Sequence, residues 1–440
     1  MGGDGRVSAR PRLKSRFGFL MLAAGCAVGL GNVWRFPFVV GQNGGAAFVL
    51  VYLVFLALMG YPLLTAELAM GRAARRGISG AMRELAAERH RLFWSRAGKV
   101  IFAGNFLLMM YYTDVAGWLF RYSRDYLLAG APQADFAAVA GDCVSCTAYL
   151  AIVVAIAAVI CLLGVRNGVE RVTKWMMVAL LALLGVLAAK ALTLPGAKEG
   201  LSFYLYPDWA RFAARPWRAL FDAMGQAFFT LSTGVGCMTI FGSYIGRERS
   251  LASESAWIIA IDTCVAILAG LVVFPACSSF GVDVTCGPGL IFEALPKVFA
   301  NMAHGRIWGF FFFLFLSLAA LTTVLAVFEC IVGGLVDEIG KSRATTAAVT
   351  GLGVFALSLP TVLFAPVLGW EDFVFGQFWL PLGALFICVF VTRRFGWGSG
   401  EFAREASAGE GIAFPGAFVR LMKVVVPLLI LATMSAGFVR

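Results

Sequence analysis

The sequence predicts an all-α polytopic membrane protein of about 11 transmembrane helices, on three observations. Of the 440 residues, 60% are hydrophobic and 14% charged, with a mean hydropathy of +0.84; no ordinary soluble domain has that balance. Apolar stretches of roughly 20 residues, the length that crosses a bilayer, recur along the whole chain. The basic residues between them alternate in density from one loop to the next, as the positive-inside rule requires.

The expected spans are 16–40, 44–71, 98–128, 147–164, 171–192, 217–246, 252–279, 306–336, 345–364, 373–394 and 416–438. The net charge of +11 does not indicate nucleic acid, because 25 of the 36 Lys and Arg fall on one side once the amino terminus is placed in the cytoplasm. That assignment makes the plasma membrane the expected location, with an odd number of spans ending outside. No cleavable signal peptide is expected, since the first apolar stretch is too long and lacks a small-residue cleavage site after it. The basic loop Arg72–Arg96 has helical character and is expected to rest on anionic headgroups, each basic residue contributing about 1 kcal/mol.

The first span carries Gly25, Gly29, Gly31, Asn32, Arg35 and Pro37. Glycine weakens a helix by about 1 kcal/mol and proline by about 3. Unwound backbone at membrane depth survives only when buried in protein or lining a cavity. The sixth span repeats the defect at Phe228-Phe-Thr-Leu-Ser-Thr-Gly-Val-Gly236. Breaks in spans 1 and 6 predict a 5+5 inverted repeat with a transport site at the broken helices. The division would be a cytoplasmic segment 1–15, a first repeat 16–192, an outer loop 193–216, a second repeat 217–395, and an inner loop with the last helix 396–440.

Polar groups inside the membrane are costly and hence candidates for function. Asn32 and Thr230 lie at the two breaks. Asp262 is a lone acid in the middle of span 7, with no basic residue near it in sequence, and a buried carboxylate needs a cation from elsewhere. Thr322 and Thr323 adjoin in span 8; membrane threonines often bond back to the preceding turn instead. Glu329, further toward the cytoplasm, is expected beside a water-filled vestibule. Glu67 and Asp114 read as parts of structural networks, Asp337 as part of an inner-side network. Tyr111-Tyr112 could be aromatic packing. Seven of the ten cysteines sit in or beside apolar spans, as small buried hydrophobes do; Cys143, Cys146 and Cys286 lie in outer loops, as free thiols or with a disulfide among them. With only His90 and His304, both in loops, no zinc site is expected. Neither a phosphate-cradling glycine loop nor a nucleophile–base constellation occurs, so an enzyme is not expected.

The chain resembles the neurotransmitter:sodium symporters, in particular their short bacterial amino-acid branch. The resemblance rests on Gly29-Leu-Gly-Asn-Val-Trp-Arg-Phe-Pro37, Gln42-Asn-Gly-Gly-Ala46, Glu67-Leu-Ala-Met-Gly-Arg72, Tyr111-Tyr112, Gly200-Leu-Ser-Phe203 with Pro207-Asp208, Gly225-Gln-Ala-Phe-Phe-Thr-Leu-Ser232, Gly287-Pro-Gly-Leu290 and Ala319-Ala-Leu-Thr-Thr323. It implies two Na+ sites. One would use Ala27, Asn32, Thr230 and Asp262, with the substrate carboxylate as the last ligand. The other would use Gly25, Val28, Ala319, Thr322 and Thr323. A neutral L-amino acid would bind among Cys26, Ala27, Gly29, Leu30, Gly31, Leu108, Tyr112, Phe229, Thr230, Ser232, Val235 and Val327. Arg35 and Asp372 would form an outer gate, with Phe229 and Tyr112 as its lid; Arg10, Tyr244 and Asp337 would close the inner side. Within the resemblance, Gly29 stands where amine-transporting members carry an aspartate. Asp262 replaces a usual asparagine and would supply fixed charge in place of chloride, Ala266 standing where chloride-dependent members have serine. Val178 stands where a proline is expected in span 5, and Val235 replaces a bulkier residue, which favours large or aromatic substrates. The rival readings are a proton-coupled transporter on the same fold, with Asp262 or Glu329 titrating, and a sensor or channel that does not accumulate solute. The oligomeric state is not legible.

Overall fold

The computed structural model describes residues 10, 12–13, 15–132, 135–284 and 289–437, and the side chains of all of these except 365, 436 and 437. Among them it is helical, with no strand. Nine helices among the described residues are long and apolar enough to cross a membrane, or ten when the bent first pair counts as one span. The expected sixth span escapes that count because it is two short helices, Pro216–Thr230 and Cys237–Gly242.

The first span is Arg16–Ala27 followed by Gly31–Gln42, bent by 56° at the join. Val28 is extended there, with φ −70° and ψ 101°. Pro37 sits in the first turn of Phe36–Gln42, where its missing N–H costs nothing. In the sixth span the chain reverses its helical sense between the halves: Ser232, Gly234 and Gly236 all have positive φ. Gly234 is required twice over, since a Cβ would lie 2.3 Å from the Leu380 carbonyl oxygen. Its freed N–H donates to Glu67 Oε1 at 2.6 Å, so Glu67 straps the second span to the break in the sixth. Each unsatisfied backbone group in a membrane would cost several kcal/mol, and this carboxylate removes one such cost.

Spans 3 and 8, Arg91–Leu128 and Gly305–Ile339, pack along each other as the long members of the bundle. Span 1 lies against span 8 and span 5. Span 5, Glu170–Ala191, is an uninterrupted helix through Val178, preceded by a wide turn at Val165–Val169. Spans 2, 4, 7, 9 and 11 are Ala46–Ala74, Cys143–Leu162, Leu251–Ser279, Arg343–Leu363 and Gly416–Gly437, and span 10 runs through Pro366–Thr392. The loop 72–96 does hold a helix, Ile78–Leu85. A helix at Ser399–Ser407 also joins spans 10 and 11. It is held by Arg72 Nε on Glu405 at 2.7 Å and by Arg247 on the same carboxylate at 2.7 Å. Cys143 and Cys146 are free thiols; Cys286 lies outside the described residues.

Candidate transport site

The two breaks meet. Asn32, Thr230 and Asp262 are all essentially without solvent contact. Asn32 Nδ2 donates to Asp262 Oδ1 at 2.8 Å and to Thr230 Oγ1 at 3.2 Å. Thr230 Oγ1 donates to Asp262 Oδ2 at 2.8 Å, and Gly29 N donates to Asn32 Oδ1 at 3.2 Å. The Asp262 carboxylate therefore has two neutral hydrogen-bonding partners and no basic one among the described residues. An acid so placed is an oxygen donor set for a hard cation. Two further groups border it that the sequence reading passed over. The Tyr52 hydroxyl faces Thr230 and Asp262, and Gln226 donates to Gly31 O at 3.1 Å while its own carbonyl oxygen is unpartnered.

A second oxygen cluster lies between spans 1 and 8. Thr323 Oγ1 stands 3.5 Å from the carbonyl oxygens of both Gly25 and Val28 and 3.4 Å from that of Ala319. These are long for hydrogen bonds. They match instead the spacing of neighbouring oxygens around one cation ligated at about 2.4 Å, within the range hard cations of calcium's size adopt. Thr322 lies beside them with its hydroxyl donated to Ala319 O at 2.8 Å.

Between the clusters is a small cavity. Cys26, Ala27, Gly29, Gly31, Leu108, Tyr112, Phe229 and Ser232 line it, together with Thr323, Phe375 and Leu380. Thr230 is adjacent, through its hydrogen bonds to Asn32 and Asp262. Leu30 contributes its N–H, which donates to Tyr112 Oη at 3.1 Å, and Ser232 Oγ donates to Cys26 O at 3.2 Å. Val235 and Val327 are buried but do not line the cavity; Phe375 and Leu380, from span 10, close it instead. Gly29 is enforced sterically: a Cβ would stand 2.6 Å from Tyr112 Oη and 2.7 Å from Thr323 Oγ1.

The two ends of the pathway differ. Arg35 stacks over the Phe229 ring at 4.6 Å and forms no ion pair with Asp372, which is exposed. Tyr111 is near enough to feel the charge of both. At the other end Arg10 pairs with Asp337 at 2.6 Å and covers the Tyr244 ring at 5.3 Å. Asp337 also accepts Gly77 N at 2.8 Å. Behind this, Tyr244 donates to the wholly buried Glu329 at 2.6 Å, and Arg343 ion-pairs with the same carboxylate. The sequence marks Arg343 only as one more loop cation, and where a vestibule was expected at Glu329 there is an ion pair.

The family model described as the sodium:neurotransmitter symporter family matches residues 10–129 and 135–440. An uncharacterised sodium-dependent transporter of Bacillus subtilis (strain 168) is 34% identical over 95% of each chain. Another, from Haemophilus influenzae, is 30% identical over 96% of this chain and 97% of its own. A solved structure, MhsT in complex with L-phenylalanine, superposes with a TM-score of 0.85 at 33% identity, covering 98% of this chain and 100% of that one. The chain belongs to the sodium:neurotransmitter symporter family and has its all-helical membrane fold.

Proposed function

We propose that the protein imports a neutral, large hydrophobic or aromatic L-amino acid together with two sodium ions, by alternating access and without chloride. The observation that carries this reading is the cavity between the two oxygen clusters, which has no acidic side chain for a substrate amine at Gly29. It presents instead Tyr112 and the amide end of the second half of span 1, which suit a carboxylate. Asp262, Asn32, Thr230 and the Ala27 carbonyl would hold one ion, completed by the substrate carboxylate, so that each favours the other's binding reciprocally. Gly25, Val28, Ala319, Thr322 and Thr323 would hold the second. The L-phenylalanine bound to MhsT and the aromatic wall of Phe229 and Phe375 support an aromatic substrate. The face carrying Arg10, Arg72 and Arg343 would be cytoplasmic. Two charges moved inward across 100 mV contribute about 4.6 kcal/mol, enough for roughly a thousandfold accumulation before any sodium concentration gradient is added.

Radiolabelled amino-acid uptake into proteoliposomes, in sodium and in choline, tests the reading. Sodium-dependent, chloride-indifferent accumulation of phenylalanine or a similar residue is expected. Uptake that ignores sodium and follows the proton gradient would overturn it, and binding without accumulation would mark a sensor. Asp262→Asn is expected to weaken sodium affinity at least tenfold or to create a chloride requirement, measured in chloride-free buffer.

A further inference from the structure

Span 10 holds a wide turn, Val374–Trp379, in which backbone hydrogen bonds run to the fifth residue along in place of the fourth. One of them is donated by the Leu380 N–H to the Phe375 carbonyl oxygen. In a regular helix, residues five apart lie about 140° from each other around the axis. The wide turn closes much of that angle, and both side chains line the substrate cavity. Each is only 2% exposed.

The turn is held on two sides. Trp379 fits a notch on span 3: a Cβ on Gly104 would run into its ring, and its indole N–H donates to Val100 O at 3.0 Å. Further along, Gly383 lies against the break in span 6, where a Cβ would run into the Gly234 carbonyl oxygen. Phe375 itself meets the Tyr111 ring edge-on at 6.3 Å. Backbone packed this closely does not slide to make room, so side-chain volume at these two positions translates into cavity volume.

The cavity must gain volume to take a large substrate. Its free space is about 20 Å³, room for little more than one water. Much of its wall is fixed: Gly29 by sterics, Tyr112 by the Leu30 N–H, Ser232 by the Cys26 carbonyl and Phe229 by the Arg35 guanidinium. Leu108, Phe375 and Leu380 are apolar and have no polar tie, and the last two share one turn of span 10. We propose, on the reading of the cavity as an amino-acid site, that Phe375 and Leu380 together set the size of the substrate side chain it accepts. Because the wide turn places them side by side, they act as one wall, and volume removed at one position is made good at the other.

Displacement of radiolabelled L-phenylalanine from the purified full-length protein in sodium, by unlabelled leucine and by tryptophan, reads the size limit as a ratio of two affinities. Leu380→Ala is expected to shift that ratio about tenfold toward tryptophan, and Leu380→Phe by about the same factor toward leucine. Phe375→Leu combined with Leu380→Phe, which exchanges the two side chains, is expected to bring the ratio back to within about threefold of the wild type. Ratios unmoved in both single variants would overturn the proposal, and an exchange that behaves like Leu380→Phe alone would overturn the single wall. Leu380→Met nearly keeps the volume and is expected to bind as the wild type does. Loss of binding in that variant would make Leu380 a structural residue, against the proposal. Wild-type protein that binds none of the three amino acids in sodium is a different result: it would overturn the amino-acid reading itself, and the size filter with it.

Discussion

The two ends of the pathway are closed by different physics. At the basic face, Arg10–Asp337 and Arg343–Glu329–Tyr244 join span 8 to the amino-terminal segment, span 6 and span 9 through charge-assisted hydrogen bonds. At the opposite face Arg35 lies on an aromatic ring and forms no ion pair with Asp372. A buried ion pair is directional and fails sharply when one partner is lost; a cation over a ring is worth about 0.5–1 kcal/mol at an exposed site. The Arg35 end, with no ion pair, is the weaker of the two closures.

The largest effect should come from Arg343→Ala. It strands the Glu329 carboxylate in a dry site, a loss of about 3–5 kcal/mol. Inward-facing states should become dominant, measured as faster alkylation of the buried Cys26 and Cys330 from the cytoplasmic side. If labelling is unchanged, the inner closure does not depend on this pair. Arg10→Ala should act in the same direction but less, about 1–3 kcal/mol, because Arg10 and Asp337 are both partly solvated. At the other end, Phe229→Ala should lower substrate affinity about tenfold and raise outward accessibility, by removing a cavity wall and the platform for Arg35 together. Asp372→Asn should be the mildest, under about 1 kcal/mol, since an exposed and unpaired acid contributes little. A large loss of uptake in that variant, with sodium affinity intact, would show that an Arg35–Asp372 pair forms later in the cycle.

Most of the fold was legible because bilayer thickness and the cost of unpaired backbone leave few alternatives. The breaks at Gly29–Gly31 and Ser232–Gly236 announce themselves by residue type, and Asn32, Thr230 and Asp262 by their polarity in apolar runs. What the sequence hid falls into two kinds. Phe375 and Leu380 are apolar residues in an apolar span, so nothing local separates a cavity wall from a lipid contact. Val235 and Val327 come to the pocket only through the family resemblance, and they are not among the residues that line it. Arg343, by contrast, is conspicuous but ambiguous: a loop cation beside a span reads as orientation, and only the tertiary fold brings it to Glu329. Tyr52 and Gln226 belong to that second kind, polar atoms whose meaning depends on a partner many residues away.

Gly29 has a consequence for how such a chain can change its cargo. The same missing Cβ leaves room for the Tyr112 hydroxyl and for Thr323, one beside the substrate cavity and the other in the oxygen cluster shared with span 1. A side chain gained at this position to greet an amine would press on both at once. Recognition of a new substrate class and retuning of ion affinity are thereby tied to one atom's worth of space. A lineage moving from this sequence toward an amine carrier would have to shift the Tyr112 or Thr323 side chain as the new group came in.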